Sequence, residues 1–306
     1  MNYRHAYHAG NFADVIKHLV LVLVIEHLKL KPTAFRVIDT HAGAGLYDLD
    51  SIEAEKTGEW RDGIARVLAA DLPEAVRPIL APYLAALSGD RRDDGRLLRY
   101  PGSPLLARRL MRAGDTLIAN ELHPDDRQQL QGLFRRDAQV KVTALDGYVA
   151  LKSLLPPKER RGLVLIDPPF EVAGEFERLA AAVAAAHQRF ATGTLVLWYP
   201  IKDRPAVARF HERLAASGVA KAFALELSVG EVSVASAAIT GTSGHKTASD
   251  KALGRGLAST GLVVVNPPYR LDEQLAVAMP VLADVMALGP GRRAQLTWLV
   301  AESQRT

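Results

Sequence analysis

The chain has 306 residues, of which 48% are hydrophobic and 24% charged, and its formal net charge is +4. This balance is typical of a folded protein with a sizeable core and excludes a disordered chain. The absence of cysteine excludes a disulfide framework, a thiolate zinc site, an iron–sulfur cluster and a cysteine nucleophile. The longest apolar run near the N-terminus, 19–25, is much shorter than the roughly 20 residues of a membrane span. Without a signal-peptide pattern either, the sequence predicts a cytoplasmic protein with no membrane anchor.

Short apolar segments alternate with longer amphipathic or alanine-rich segments along the chain. Strands are predicted at 35–39, 116–121, 140–142, 162–167, 193–199, 222–227, 262–265 and 295–300. Helices are predicted at 13–30, 124–136, 147–155, 176–190 and 205–217. The first helix is interpreted as amphipathic, with Asn11 as its N-cap. This alternation predicts an α/β fold with a mostly parallel sheet and helices on both faces.

Two segments lie outside the alternation within what is otherwise one domain, 1–306. The 47–99 stretch between strands one and two is too long for a single crossover helix, so it predicts an inserted, mainly helical subdomain. Residues 228–260 are rich in Gly, Ser, Thr and Ala with little apolar periodicity. They predict a flexible excursion between strands six and seven.

Positive charge is concentrated in residues 91–112. This segment holds seven arginines against two acidic residues, a local charge of +5, whereas the whole chain carries +4. Such clusters bind polyanions through phosphate contacts and counterion release. Arg91, Arg92 and Arg96 are therefore candidate nucleic-acid contacts, although the same cluster also fits an ordinary solvated surface.

A glycine-rich turn, DTHAGAG at 39–45, follows the first strand. Glycines such as Gly43 let the backbone turn tightly and approach a ligand at the carboxyl ends of strands. The turn lacks the Gly-Lys-Ser/Thr of an ATP-binding P-loop. Glu121 and Asp146 follow the next two strands, where an acid can accept hydrogen bonds from ribose hydroxyls. Together these residues predict a groove for a nucleoside-shaped ligand.

The motif Asp167-Pro168-Pro169-Phe170 ends the fourth strand. A buried aspartate is costly unless its charge or hydrogen bonds are used, and two prolines fix the backbone and remove two N–H donors. The Asp167 carboxylate and the Pro168 carbonyl would match the two hydrogens of an exocyclic amino group. Phe170 offers a flat face for a planar base. These three residues form the predicted catalytic group.

A second motif of the same form, Asn266-Pro-Pro-Tyr269, follows the seventh strand. Composition does not separate the two motifs, but position does. In a 3-2-1-4-5 strand order, strand four adjoins the strand that carries the glycine-rich turn. Strand seven lies farther out and is often antiparallel, so Asp167 is the predicted acceptor.

These motifs resemble those of class I S-adenosylmethionine-dependent methyltransferases that act on an amino nitrogen. More narrowly, five stretches are similar to the RlmJ family, which methylates an adenine N6 of 23S ribosomal RNA. They are YRHAYHAGN (3–11), DTHAGAGLY (39–47), YPGSPL (100–105), RGLVLIDPPF (161–170) and LWYP (197–200). The chain departs from the family at Phe170, where the family usually has tyrosine, and in the longer 228–260 excursion.

The resemblance implies a Rossmann-like, seven-stranded type of sheet with a small helical subdomain inserted after strand one. It implies S-adenosylmethionine as cofactor and 23S ribosomal RNA, naked or partly assembled, as the partner of a monomer. It places an RNA contact at Tyr3 and cofactor contacts at His18, His41, Ser103, Glu121, Asp146, Gly147 and Asp167. In that activity Asp167 would position the adenine amine, deprotonate it, or do both.

The histidines do not predict a metal site. His5, His8, His18 and His41 lack thiolate or clustered carboxylate partners, so the ligand set is incomplete. Neutral imidazoles that hydrogen-bond the cofactor fit His18 and His41 better.

Two alternatives stay open at this point. One is a methyltransferase for another amino group: DNA adenine, guanine N2 or a protein glutamine amide. The sequence shows no extra segment to read a DNA groove. The other is a non-catalytic RNA-binding protein of the same fold, which would be indicated by loss of Asp167 or of the glycine-rich turn; both are present.

Overall fold

An eight-stranded sheet forms the centre of the computed structural model, which describes residues 4–230 and 257–301. Tyr3 and most of the 228–260 excursion lie outside the described residues. The strands in chain order are β1 (Arg36–Asp39), β2 (Leu46–Asp48), β3 (Arg99–Pro101), β4 (Thr116–Asn120), β5 (Val140–Thr143), β6 (Gly162–Ile166), β7 (Thr194–Pro200), β8 (Ala222–Ser228), β9 (Ser259–Val265) and β10 (Arg293–Val300).

The helices of the described residues are also numbered in chain order. They are α1 (Phe12–Lys29), α2 (Ile52–Thr57), α3 (Glu59–Asp62), α4 (Ile64–Ala69), α5 (Arg77–Ala86), α6 (Ser103–Leu110), α7 (Pro124–Leu133), α8 (Gly147–Ser153), α9 (Glu175–Arg189), α10 (Arg204–Ala215) and α11 (Leu271–Val285). Short 3₁₀ turns occur at His5–Tyr7 and Ser88–Asp90. Among the described residues, no helix is both long and apolar enough to cross a membrane.

The strand order is β10-β8-β9-β7-β6-β1-β4-β5, while β2 and β3 form a separate antiparallel pair. The five strands from β7 to β5 are parallel, β9 is antiparallel between β7 and β8, and β10 pairs antiparallel with β8. The α/β fold and its central strand order are confirmed. The described sheet has eight strands, one more than the seven that the resemblance implies, because β10, predicted at 295–300, pairs with β8 at the outer edge.

Both faces of the sheet are covered, so its central strands are apolar throughout. All five residues of β6 are buried, and they alternate between two hydrophobic clusters: Leu163 and Leu165 face one, and Val164 and Ile166 face the other. The first cluster includes α1, α5, α6 and α11, and the second includes α9 and α10. This packing holds the carboxyl ends of the parallel strands at one edge.

Helix α1 corrects the sequence prediction of an amphipathic helix. Fifteen of its 18 residues are buried, because it packs between the sheet and the helices α5 and α6. Three polar residues of its first two turns, Asp14, Lys17 and His18, are buried with it. Asn11 is the predicted N-cap, and its side chain accepts a hydrogen bond from the Asp14 amide at 2.9 Å.

The 47–99 segment holds the helices α2 to α5 between β2 and β3. Apolar side chains of these helices, including Trp60, Leu80 and Tyr83, join the same hydrophobic cluster as α1. The segment therefore packs on the sheet domain through a shared core. Its assignment as a distinct subdomain stays a prediction.

Candidate active site

A cavity of about 300 Å³ lies where β1, β4, β5 and β6 end. Because these strands are parallel, the residues that follow them meet at one edge of the sheet. The cavity is lined by His18, His41, Gly43, Ser103, Glu121, Asp146, Gly147, Asp167 and Pro168, among others. The structure thus brings together all the predicted cofactor residues, although they come from six separate parts of the chain.

The glycine-rich turn needs glycine at two positions for local steric reasons. Gly43 and Gly45 have φ angles of +62° and +81°, in the left-handed region. A Cβ on Gly43 would lie 2.2 Å from the Tyr47 hydroxyl, and one on Gly45 would lie 2.8 Å from Leu130 and Leu133. The turn is therefore packed tightly against Tyr47 and helix α7.

Glu121 holds the glycine-rich turn to the end of β4. Its Oε2 accepts a hydrogen bond from the Gly43 amide at 2.8 Å, and its Oε1 accepts one from the His123 amide at 2.7 Å. Burial raises the pKa of Glu121 above its ordinary value, although the two amide hydrogen bonds lower it. Each carboxylate oxygen can accept a second hydrogen bond, so Glu121 can also serve a ligand hydroxyl.

Asp146 is the N-cap of α8. Its Oδ1 accepts hydrogen bonds from the amides of Tyr148 and Val149 at 2.9 and 3.1 Å, and Arg178 donates to its Oδ2 at 3.1 Å. Although partial burial raises it, the hydrogen bonds from Val149 and Arg178 hold the pKa of Asp146 below its ordinary value. The guanidinium carbon of Arg178 also lies 4.0 Å from the centroid of the Tyr148 ring. The sequence did not predict that Arg178 belongs to the site.

Burial favours the neutral form of His18 and His41, two of the three histidines that line the cavity. The His18 Nδ1 lies 2.6 Å from the Tyr100 hydroxyl, and burial lowers the pKa of His18 to about 3. The His41 Nδ1 lies 2.9 Å from the Thr40 hydroxyl, and burial lowers the pKa of His41 to about 4. A Cβ on Gly147 would lie 2.4 Å from the His41 ring, so Gly147 makes room for that imidazole.

Asp39, the last residue of β1, is a buried carboxyl beside the cavity. The Ser103 hydroxyl donates a hydrogen bond to its Oδ2 at 2.6 Å, and the His41 amide donates to its Oδ1 at 3.2 Å. Burial raises the pKa of Asp39 to about 7, although the hydrogen bond from Ser103 lowers it. Ser103, at the start of α6, thus both lines the cavity and hydrogen-bonds this carboxyl.

Asp39→Asn is expected to flatten the pH dependence of stability. The folded pKa of about 7 lies above the ordinary 3.8, so Asp39 binds a proton more tightly in the folded state. The contribution of Asp39 to the free energy of unfolding is fully present below about pH 4 and is lost as the pH rises to about 7. Each pKa unit corresponds to about 1.4 kcal/mol. Urea unfolding of both proteins from pH 4.5 to 8 measures this slope; equal slopes would contradict the assignment.

A buried chain of charged groups, missed at the sequence level, supports Asp167. The Lys17 ammonium donates to Asp167 Oδ2 at 2.5 Å and lies 2.8 Å from Asp14 Oδ1. Asp14 Oδ2 in turn accepts hydrogen bonds from His5 Nε2 and from the Gly10 amide, both at 2.9 Å. The available signal was an aspartate and a lysine three residues apart near the start of a mostly apolar helix.

The charges of these linked side chains stabilise one another. Although burial lowers it, the carboxylates of Asp14 and Asp167 raise the pKa of Lys17 above its ordinary value. Although burial raises it, the charges of His5 and Lys17 hold the pKa of Asp14 well below its ordinary value. Lys17 is therefore a cation next to one oxygen of Asp167, and the other oxygen remains available to a ligand.

Phe170 lies beside the cavity and does not line it. Its ring centroid is 5.1 Å from that of Phe176 and 5.8 Å from that of Trp198. Its φ angle of +50° is in the left-handed region, which a bulky side chain rarely adopts. This turn directs the ring toward the second hydrophobic cluster, so base stacking by Phe170 stays a prediction.

Asn266 lies at the opposite edge of the sheet from Asp167. Val265 pairs with Leu195 near the amino end of β7, because β9 runs antiparallel to β7. The Asn266 side-chain amide donates to the Gly193 carbonyl at 3.3 Å, and its own carbonyl accepts from Thr194 at 2.9 Å. The second motif therefore serves as a structural turn, in agreement with the choice of Asp167.

The arginine-rich segment is largely neutralised by acids outside it. Ion pairs join Arg96 to Asp50, Arg99 and Arg109 to Asp90, Arg108 to Asp137, and Arg112 to Asp115. Within 4–230 and 257–301, no ion pair involves Arg91 or Arg92, which lie in a small hairpin closed by an Arg91–Leu97 bridge. None of the three predicted RNA-contacting arginines lines the cavity.

Known proteins of one kind match the chain over most of its length. A family model described as "RsmJ: Ribosomal RNA large subunit methyltransferase D, RlmJ" matches residues 32–243. A relative from Escherichia coli (strain K12), named "Ribosomal RNA large subunit methyltransferase J", is 40% identical over 303 residues, with 99% of this chain and 100% of the relative covered. A relative of the same name from Haemophilus influenzae is 40% identical over 287 residues, 94% of each chain. The crystal structure of a Legionella pneumophila protein superposes with a TM-score of 0.79 and 29% identity over 97% of this chain and 99% of that one.

Proposed function

The chain belongs to the RlmJ family of ribosomal RNA large subunit methyltransferases, and from this premise we propose that it methylates an adenine N6 of 23S ribosomal RNA with S-adenosylmethionine. The observation that carries the proposal is that Asp167 and Pro168 line the same cavity as Glu121 and Asp146. This arrangement puts acceptors for an amino group next to acceptors for a nucleoside. We further propose that the protein acts in the cytoplasm, as a monomer, on naked or partly assembled RNA.

The cavity fits S-adenosylmethionine in size and in the chemistry of its walls. Its volume of about 300 Å³ lies at the lower end of the range for ligand pockets. Glu121 and Asp146 would accept hydrogen bonds from the ribose and the adenine, and neutral His18 and His41 would bind the amino-acid end. The bound cofactor would supply an electrophilic methyl group.

The contribution of the protein is then to position and activate the adenine amine. That nitrogen is a poor nucleophile because its lone pair is delocalised into the ring. Because Lys17 donates a hydrogen bond to Asp167 Oδ2, Asp167 Oδ1 would accept one amine hydrogen. The Pro168 carbonyl would accept the other. Holding both hydrogens favours a pyramidal nitrogen whose lone pair points toward the methyl group. Asp167 would also accept the departing proton.

Methylation of protein-free 23S ribosomal RNA by the purified protein tests the function. After incubation with S-adenosylmethionine, the RNA is digested to nucleosides and analysed by mass spectrometry. We expect N6-methyladenosine from the wild-type protein and none from Asp167→Ala. Methylated guanosine, or no modified nucleoside from free RNA and from isolated large subunits, would contradict the proposal. Comparison of the two substrates also shows which assembly state is used.

Replacement of Glu121 is expected to weaken S-adenosylmethionine binding. Glu121→Ala removes both the proposed ribose acceptor and the anchor of the Gly43 amide, and hydrogen bonds to charged groups contribute about 1.5–3 kcal/mol. The dissociation constant should therefore rise at least tenfold in calorimetric titration. Asp125→Asn, an exposed carboxylate of α7, is the matched control. Equal affinities for wild type and Glu121→Ala would rule out this role.

Neutralising Arg91 and Arg92 is expected to flatten the salt dependence of RNA binding. Each phosphate contact adds about 0.7–0.9 to the slope of log affinity against log salt, so the double glutamine variant should lose between one and two units. Arg135→Gln with Arg136→Gln makes the same charge change on an exposed site elsewhere. If both double variants lower the slope equally, the 91–112 segment is ordinary surface.

A further inference from the structure

The N-terminal segment, residues 4–11, is bound to the helices α2 to α4 of the 47–99 segment mainly through Glu59. Glu59 Oε2 accepts hydrogen bonds from the Asn11 side-chain amide at 2.9 Å and from His8 Nδ1 at 3.0 Å. The Thr57 hydroxyl also donates to the Tyr7 carbonyl. One carboxylate at the start of α3 thus binds two side chains of the segment.

The backbones of the two segments interlock beside Glu59. The Ile64 amide donates to the Gly10 carbonyl at 2.9 Å. A Cβ on Gly63 would lie 2.2 Å from that carbonyl oxygen, and Gly10 has a φ angle of +78°. Since neither position accepts a side chain without movement, the two backbones are closely packed at this point.

The same N-terminal segment reaches the acceptor side of the cavity, by which we mean the part lined by Asp167 and Pro168. His5 lines the cavity and hydrogen-bonds Asp14, and the Gly10 amide donates to the same Asp14 oxygen. Asp14 contacts Lys17, which contacts Asp167. A shift of the segment would therefore move groups that support the Asp167 carboxylate.

We propose that Glu59 is a positioning residue through which the 47–99 segment holds residues 4–11 against the acceptor side of the cavity. This inference rests on the proposed RNA methylation, because it assigns Glu59 to the binding and orientation of the RNA substrate. Glu59 contacts neither the cavity nor Asp167 directly. Its effect should thus fall on the RNA and spare the cofactor, whose predicted contacts all lie outside residues 4–11.

The test compares Glu59→Ala and Glu59→Gln with Glu55→Ala and Glu55→Gln. Glu55 is a matched control, because it is an exposed glutamate of α2 whose ion pair with Arg61 does not involve the N-terminal segment. We expect Glu59→Ala to lower kcat/KM for RNA about tenfold with an unchanged dissociation constant for S-adenosylmethionine. Glu59→Gln should recover part of the loss, since its amide oxygen still accepts from Asn11. Both Glu55 variants should match the wild type.

Equal kcat/KM values for Glu59→Ala and Glu55→Ala, in proteins with equal melting temperatures, would overturn the proposal. A loss confined to cofactor affinity would also overturn it. Hydrogen–deuterium exchange of residues 4–11 tests the anchoring independently of activity, and faster exchange is expected in Glu59→Ala alone. An inactive wild type that shows this difference would contradict the proposed function, whereas unchanged exchange would contradict the role of Glu59.

Discussion

Asp167→Ala is expected to lower the single-turnover rate of methyl transfer to protein-free 23S ribosomal RNA by about a hundredfold or more. The variant loses the acceptor that would orient the adenine amine and receive its proton. Because Asp14 still pairs with the buried Lys17 ammonium in this variant, the folded protein should persist. The rate is measured with saturating cofactor, so that a change in the affinity for S-adenosylmethionine does not affect the measured rate.

Asp167→Asn separates positioning from deprotonation, and Asn266→Ala is the matched control. Partial activity of Asp167→Asn would favour positioning, because the amide keeps one acceptor oxygen and is not a base. Asn266→Ala should leave the rate unchanged and destabilise the protein by only ~1 kcal/mol, through loss of its bond to Gly193. Loss of transfer in folded Asn266→Ala with transfer retained in Asp167→Ala would show that the site lies at the other motif.

Lys17→Met is expected to destabilise the protein by about 3–5 kcal/mol, because removing one partner leaves buried charges uncompensated. The carboxylates of Asp14 and Asp167 would both lose the cation that lies 2.8 and 2.5 Å away. Urea unfolding at pH 7 measures the loss. Lys29→Met is the control on the same helix, where a partly exposed pair with Glu26 is worth less than about 1 kcal/mol.

A double variant shows whether the loss comes from uncompensated charge. Asp14→Asn removes one of the two carboxylates, so Asp14→Asn combined with Lys17→Met should be more stable than Lys17→Met alone. Methyl transfer should stay low in both, because Asp167 still lacks its partner. Additive destabilisation by the two substitutions would indicate independent packing defects.

The strand-end residues of the site follow from the sequence alone. Gly43, Glu121, Asp146 and Asp167 each come directly after an apolar run or close to its end, and alternation with helices predicts a parallel sheet. Parallel strands bring such residues to one edge whatever their distance along the chain. For this reason local patterns could predict that these residues line one cavity, whereas the role of Asp167 in it stays a prediction.

The partners of those residues depended on the tertiary structure. Lys17 and Asp167 are 150 positions apart, and no local pattern pairs a lysine of one helix with a particular strand end. The same holds for the acids that neutralise the arginine-rich segment and for Phe170, whose ring packs on Phe176 and Trp198. Charge and burial are properties of the space around a side chain, and that space is filled by residues distant in sequence.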